Sequence, residues 1–324
     1  MNVSGLEWIV TLGVTIAVLL FDVVVIARRP HEPTRRECAI ALSVYAGLAV
    51  LFGLWVWFFH GGTYGVEFFA GWLTEYSLSV DNLFVFLLIM VAFNVPEQYQ
   101  QQALLVGIVL ALVLRGIFIA LGAVAVQQFS WTFYIFGALL VYTAVRLVRG
   151  GDRDEDDDAG NAVVRFARHH PSTTDKWDGL KLYLKQGRNR VMTPMFIVIV
   201  ALGSTDLIFA LDSIPAIYGL TAEPYLVFTA NVFALMGLRQ LYFLLGGLLR
   251  RLVYLSRGLA FILAFIGVKL FLHALHENEV PFINGGESVR VPEIPTSLSL
   301  GVIVVTLAVT TAASLRKSSV SAAK

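Results

Sequence analysis

Two stretches carry acidic residues where hydrocarbon is expected. "TEYSLSVDN" (74–82) holds Glu75 and Asp81 with Asn82 beside them. "TDLIFALDS" (205–213) holds Asp206 and Asp212. The two stretches align without a gap, pairing Thr74 with Thr205, Glu75 with Asp206, Asp81 with Asp212 and Asn82 with Ser213. Carboxylate, amide and hydroxyl oxygens are the donors preferred by hard cations such as Mg²⁺, Ca²⁺ and Mn²⁺. The six-residue spacing turns the second acid about 120° away from the first and about 9 Å along the axis of a regular helix. The two acids of a pair therefore reach one ion only if the helix unwinds between them; otherwise each serves a different neighbour. Ser77, Ser79, Gly203 and Pro215 supply places for local irregularity.

The elements that must hold these acids are membrane helices. The chain of 324 residues is 57% hydrophobic and 15% charged, with a mean hydropathy of +0.74. A soluble domain carries about 25% charged residues. Nine apolar runs have the length to cross a bilayer as helix: 7–27, 39–59, 67–93, 102–125, 131–149, 193–214, 224–248, 256–275 and 297–315. The first lacks the basic flank of a cleavable signal and reads as a retained span. The expected fold is all-α and polytopic. Glu75 and Asp81 fall on the third span, Asp206 and Asp212 on the sixth.

Basic residues set the expected orientation. Twenty of the 24 Lys and Arg residues flank the spans on one side, and Arg290 alone stands on the other. The split predicts a cell-membrane protein with its N-terminus outside and its C-terminus in the cytoplasm. Arg115, Arg239 and Lys269 lie inside spans.

The polar matches extend beyond the acids. "LRGIFIALGA" (114–123) resembles "LRQLYFLLGG" (238–247), pairing Arg115 with Arg239, and "IFGALLVY" (135–142) resembles "FIGVKLFL" (265–272). Glu75 to Gly137 spans 62 positions and Asp206 to Gly267 spans 61. Spans 3–5 and 6–8 therefore read as two copies of a three-helix unit. Three is odd, so the copies are expected in opposite orientations, an arrangement common among secondary transporters. The chain then divides into a two-helix segment (1–66), a first unit (67–149), a cytoplasmic loop (150–192), a second unit (193–276) and a C-terminal helix and tail (277–324).

An acid or base at a membrane helix centre costs roughly 2.5–3.5 kcal/mol, so it marks a site or a charge pair. Asp22 lies near Arg28 and reads as a structural pair. Arg115 and Arg239 are the expected partners of the four repeat acids, and Lys269 reads as a counter-ion or a moving charge. Asn231 on span 7 either hydrogen-bonds between helices or contributes an oxygen. The loop holds an acidic run at 152–158, the pair His169 and His170, and a segment at 181–192 that reads as a hairpin or an interfacial stretch. Cys38 is the only cysteine and reads as a small apolar residue at a helix start. A net charge of +1 gives no electrostatic footprint for nucleic acid. No nucleotide loop, zinc helix or nucleophile elbow is present, so the chain is not expected to be an enzyme or to hold a cofactor.

"SLSVDNLFVF" (77–86), "TDLIFALDSIPAI" (205–217) and "FTANVFALMGLRQLYFLLGGLL" (228–249) resemble the signatures of the TerC family of integral membrane proteins, over roughly Trp8 to His276. The resemblance implies a link to tellurium resistance. For bacterial members it also implies manganese efflux across the cytoplasmic membrane, with some proposed to supply metal to exported enzymes. It would place the ion at Glu75, Asp81, Asn82, Asp206 and Asp212. Some members carry a further acid three residues before the position of Asp206; here that residue is Gly203. The loop after "VPEQYQ" is often basic in the family, and here it holds Gln101 and Gln102.

The expected function is export of a divalent cation, Mn²⁺ first, by alternating access, with the lipid bilayer as surroundings and protons as a coupling ion on the return step. In that scheme Mn²⁺ binds between Asp81, Asp206 and Asp212, with Glu75 on the exit side. Two other readings are a membrane assembly or metal-delivery factor for exported proteins, and a stress or tellurite-resistance scaffold that moves no ion.

Overall fold

The computed structural model describes residues 1, 3–28, 34–129, 131–149, 177, 179, 181–186, 189–245, 254–278, 280 and 283–322. The acidic run at 152–158 and the pair His169 and His170 lie outside them, as do the side chains of Asp22, Arg28 and Asp81. The described elements, in order, are α1 (Gly5–Arg28), α2 (Arg35–His60), α3 (Gly62–Ala92), α4 (Glu97–Gln128), α5 (Thr132–Arg149), β1 (Tyr183–Gln186), β2 (Asn189–Met192), α6 (Pro194–Tyr218), α7 (Pro224–Met236), α8 (Leu238–Leu245), α9 (Leu255–His276) and α10 (Thr296–Ala322).

Among the described residues, eight helical segments are long and apolar enough to cross a membrane, with α7 and α8 counting together as one. The 24-residue α1 precedes them. The ninth element is thus a helix as expected, although its described apolar stretch, Gly5–Val18, is short. Differences from the predicted spans lie at the ends and at one break. α3 begins at Gly62, five residues before the predicted start. α6 continues to Tyr218 through Pro215. The seventh predicted span is interrupted at Gly237, where α7 gives way to α8.

Local sequence explains where the helices start. Thr34 opens α2 with a capping box, its side chain accepting from the Glu37 amide while Glu37 accepts from the Thr34 amide at 2.7 Å. The segment before α6 is a hairpin, with Tyr183 opposite Met192 and Leu184 opposite Val191. It hands directly to Thr193, which donates to the Lys181 carbonyl at 2.6 Å and accepts from the Phe196 amide, with Pro194 at the first helical position. Of the two readings for 181–192, the hairpin is the one observed.

The helices are sorted by side-chain size. On α4, Val109, Val113, Ile117, Leu121 and Val124 are exposed, as befits a lipid-facing stripe. The opposite face buries Gly107, Ala111, Arg115, Ile119 and Gly122. Small residues on the inner face let neighbouring helices come close, which is the main source of packing energy in a bilayer. Cys38 is buried in the first turn of α2.

The packing is reciprocal. α3 packs on α7, and α6 packs on α4; α3 also meets α6, and α5 meets α9 in the most extensive helix contact of the described residues. The α5–α9 crossing centres on two glycines. A Cβ added at Gly137 would lie 3.0 Å from the Gly267 carbonyl oxygen, and one at Gly267 would lie 3.1 Å from the Gly137 carbonyl oxygen. These are the two residues that the sequence alignment paired. α3 sits innermost, touching α2, α6, α7, α8, α9 and α10.

Candidate functional site

Three buried helices converge on the Arg115 side chain. Arg115 is fully buried on α4, at 0% exposure. Its Nε donates to Asp206 Oδ2 at 3.1 Å and its Nη2 to Asp206 Oδ1 at 3.0 Å, a two-pronged contact between α4 and α6. Its Nη1 is paired with Glu75 Oε1 on α3. A planar guanidinium suits this role because its donors form a fixed fork that can grip one carboxylate and still reach another. Asn231, on α7, donates from Nδ2 to the same Glu75 Oε1 at 3.1 Å. The arrangement thus joins α3, α4, α6 and α7, the four helices whose packing is reciprocal.

On the helices of this core, several buried oxygens have no hydrogen-bond partner among the described residues: Glu75 Oε2, Asn231 Oδ1, Thr74 Oγ1, Thr205 Oγ1, Ser79 Oγ and Ser213 Oγ. Glu75 Oε2 and Asn231 Oδ1 belong to two side chains already bonded to each other, so they lie in one neighbourhood. Buried polar atoms are nearly always satisfied in folded proteins. Thr74 and Thr205 immediately precede the two equivalent acids, and both are left unsatisfied.

Helix geometry orders the rest. α3 is continuous through Glu75 and Asp81, and α6 through Asp206 and Asp212. Of the two possibilities left by the six-residue spacing, the helix does not unwind. For Asp206 and Asp212 each carboxylate serves its own neighbour: Asp206 holds Arg115, while Asp212 accepts from Thr143 Oγ1 on α5 at 2.8 Å. Asp212 therefore stands apart from the Arg115 core, and the expected joint site of Asp206 and Asp212 is not formed in this structure. The residues seven positions after each leading acid return to its face, about 10.5 Å further on. They are Asn82 and Ser213, both buried. The buried stripe of each helix thus carries an acid followed two turns later by a neutral oxygen. Among the described residues no three His, Cys, Asp or Glu side chains form a ready metal cluster.

Asp81 lies on α3, but its side chain is outside the described residues. Arg239 is the second residue of α8, just past the break at Gly237; it is a partnered residue, and its charge acts on Cys38 of α2. The aligned arginines therefore occupy different settings, one at mid-helix and one at a helix start. Gly203 lies against α4: a Cβ there would come 2.4 Å from Leu110 Cδ2.

Asn231 and Thr143 complete the contacts of the acids. The sequence signalled Asn231 as a polar residue in an apolar run, with two roles left open; the structure shows the hydrogen bond between helices. Thr143 gave no signal, because a lone threonine usually bonds its own helix.

The sequence pattern of the family described as "Integral membrane protein TerC family" matches residues 60–322, which contain every residue of this site. The chain belongs to the TerC family. Relatives run along nearly its whole length. "Uncharacterized membrane protein Rv2723" of Mycobacterium tuberculosis is 48% identical over 317 residues, 97% of this chain and 80% of the relative. "Uncharacterized membrane protein STKORF319" of Myxococcus xanthus is 35% identical over 311 residues, 96% and 92% of the two chains. "Putative membrane-bound redox modulator Alx" of Escherichia coli K12 is 36% identical over 301 residues, 90% and 88% of the two. No solved structure matches. This TerC chain is thus a multi-pass integral membrane protein, and the Arg115 core lies within the family's shared part.

Proposed function

We propose that this TerC-family chain exports a divalent cation, Mn²⁺ in the first place, from the cytoplasm by alternating access. One observation carries the reading. Glu75 and Asp206, at equivalent positions of the two three-helix units, are drawn to a single buried arginine, with unsatisfied hard oxygens beside them. Replacing a buried ion pair by apolar residues is often neutral or stabilising, so stability alone is a weak reason to keep one in a membrane.

The charge balance fits the cargo. Glu75, Asp81 and Asp206, if ionised, carry three negative charges against one on Arg115. The remainder equals the charge of one Mn²⁺. In this scheme Arg115 holds the carboxylates while no ion is present. An arriving cation takes Glu75 Oε2 and Asn231 Oδ1 first, since these have no bond to break. It then competes with the guanidinium for Asp206. Asp81 and Asn82 extend the oxygen path inward along α3. Asp212, held by Thr143 toward α5, serves the path rather than the primary site. The reciprocal packing of α3 on α7 and α6 on α4, and the paired glycines of α5 and α9, support an inverted repeat in which one unit rocks against the other. Protons taking the metal's place on the return step complete the cycle.

Two other readings have less support. The name of the Escherichia coli relative points to redox chemistry, but this chain has one cysteine and therefore no intramolecular dithiol. Tellurite is an oxyanion, and buried carboxylates repel it. A tellurite effect would be indirect.

The test is uptake of radiolabelled Mn²⁺ into proteoliposomes by wild type, Glu75→Gln and Asp206→Asn, with Ca²⁺ and Mg²⁺ as competitors. Flux in wild type that falls by about two decades in each variant is expected, equivalent to about 2.7 kcal/mol. Folded wild-type protein that passes no Mn²⁺, or variants that transport at full rate, would sink the proposal.

A further inference from the structure

A second pair of opposite charges lies outside the Arg115 core. Glu67 is on α3, eight residues before Glu75 and so about 12 Å along the helix, toward the side where basic residues are scarce. It is partly buried and accepts from Thr221 Oγ1 at 2.6 Å. Lys269, on α9, is also partly buried, and its Nζ donates to Thr296 Oγ1 of α10 at 3.3 Å. Thr296 in turn donates to the Leu220 carbonyl at 3.2 Å. Glu67 and Lys269 thus reach the same turn from opposite sides, Glu67 through Thr221 and Lys269 through Thr296 and Leu220.

Leu220 and Thr221 are neighbours in the turn between α6 and α7. That turn is therefore tied to α3 on one side and to α9 and α10 on the other. It is also pressed against α9, since a Cβ at Gly219 would lie 2.5 Å from Ile266 Cγ2. The tie crosses the boundary between the two three-helix units, because α3 belongs to the first and the turn and α9 to the second. Any rocking of one unit against the other must break it.

We propose that Glu67 is an exit-side relay for the exported cation, and that Lys269 is the tethered countercharge that holds the other side of the same turn through Thr296 when no ion is passing. This rests on the export reading above. A cation leaving Glu75 meets a carboxylate and a threonine hydroxyl, which are oxygen donors of the same hard class. Accepting the cation loosens Glu67 from Thr221 and frees the turn to move. Glu67 then returns to Thr221, and the positive charge of Lys269 on the far side of the turn keeps it from trapping the ion. An intramembrane acid with a basic partner on another helix is typical of ion paths.

The experiment compares wild type, Glu67→Gln, Glu67→Asp and the double variant Glu67→Gln/Lys269→Met in two assays. One is Mn²⁺ flux in proteoliposomes, and the other is equilibrium Mn²⁺ binding in detergent. Glu67→Gln preserves an acceptor for Thr221, and it is expected to slow flux by roughly tenfold while binding stays within about twofold. Glu67→Asp, which keeps the charge, is expected to retain flux within roughly threefold. The double variant is expected to stay slow, because removing the lysine does not restore the relay. Recovery of the wild-type rate in the double variant would show a purely structural pair and overturn the proposal. So would full flux in Glu67→Gln, a loss of Mn²⁺ binding in that variant, or an Asp variant as slow as the Gln variant. Should Glu67→Gln fail to fold, Glu67→Ala takes its place in both assays, with the same slowed flux and retained binding expected. Wild-type protein without flux sinks the export reading and the relay together, whereas flux indifferent to Glu67 sinks only the relay.

Discussion

Arg115 concentrates the physics of the site in one side chain. It satisfies two carboxylates that would otherwise repel each other in a medium that solvates neither. Removing one partner of a buried ion pair typically costs about 3–5 kcal/mol, because the remaining charge loses its compensation. Arg115→Met leaves Glu75 and Asp206 in that position, so a fall in thermal stability of this order is expected, measured by unfolding in detergent. Arg115→Lys keeps the charge but not the fork that spans Asp206 and Glu75. It is expected to fold with a smaller loss and to bind Mn²⁺ more tightly, because a single ammonium competes less well for two carboxylates. Equal stability of wild type and Arg115→Met would mean that the guanidinium is not holding the site together. Asn231 makes the complementary case. Its amide donates to Glu75 Oε1, and a hydrogen bond to an ionised carboxylate is worth about 1.5–3 kcal/mol. Asn231→Leu removes both that donor and the unsatisfied Oδ1. It is expected to weaken Mn²⁺ binding by roughly tenfold or more in an equilibrium titration, and unchanged binding would remove Asn231 from the site.

At the scale of elements, the α5–α9 crossing is the place where side-chain volume decides the packing. Gly267→Ala would put a Cβ 2.9 Å from Val141 Cγ2 and 3.1 Å from the Gly137 carbonyl. A carbonyl cannot rotate away as a side chain does, so a destabilisation of about 1–3 kcal/mol is expected from overpacking. Gly301→Ala on α10 is the control, because nothing lies within 4 Å of its added Cβ. There alanine is expected to be neutral or to stabilise by up to about 1 kcal/mol through helix propensity. Similar melting shifts for both variants would mean that the crossing is not tightly packed. The same elements show what the sequence could reveal. Long apolar runs made the helices legible, since a bilayer demands them. Ends were less legible. The predicted third span opened at Glu67, which made that acid look terminal; the helix starts at Gly62 and carries Glu67 more than a turn inside. The break at Gly237 was hidden inside a continuous apolar stretch. The acid pairs were visible as a pattern, but their partners were not. Whether Asp212 turned to Asp206 or to Thr143 depended on which helix packed beside α6, and residue spacing holds no such information. The alignment of Arg115 with Arg239 likewise said nothing of the helix break that separates their settings.

At the scale of the whole molecule, every directional statement depends on which face is cytoplasmic. By the spans read from the sequence, twenty of the basic residues fall on one side of the membrane and Arg290 on the other. Positive charges near helix ends are retained on the cytoplasmic side during insertion, so the split argues for an outside loop before α10 and an inside C-terminus. The chain lends itself to a direct test, because its single cysteine, Cys38, is buried at 2% exposure. In a Cys38→Ala background, Arg290→Cys places a thiol on the exposed stretch before α10, and Arg316→Cys places one near its other end. A membrane-impermeant maleimide added to intact cells is expected to label the first and not the second, and permeabilised cells are expected to label both. The reverse pattern would invert the molecule. Glu67 and Lys269 would then face the cytoplasm, and the relay proposed for exit would become one for entry. Arg115, Glu75 and Asp206 would keep their geometry, since their contacts do not depend on orientation. The labelling experiment therefore separates the direction of transport from the existence of the site, and only the former hangs on the distribution of positive charge.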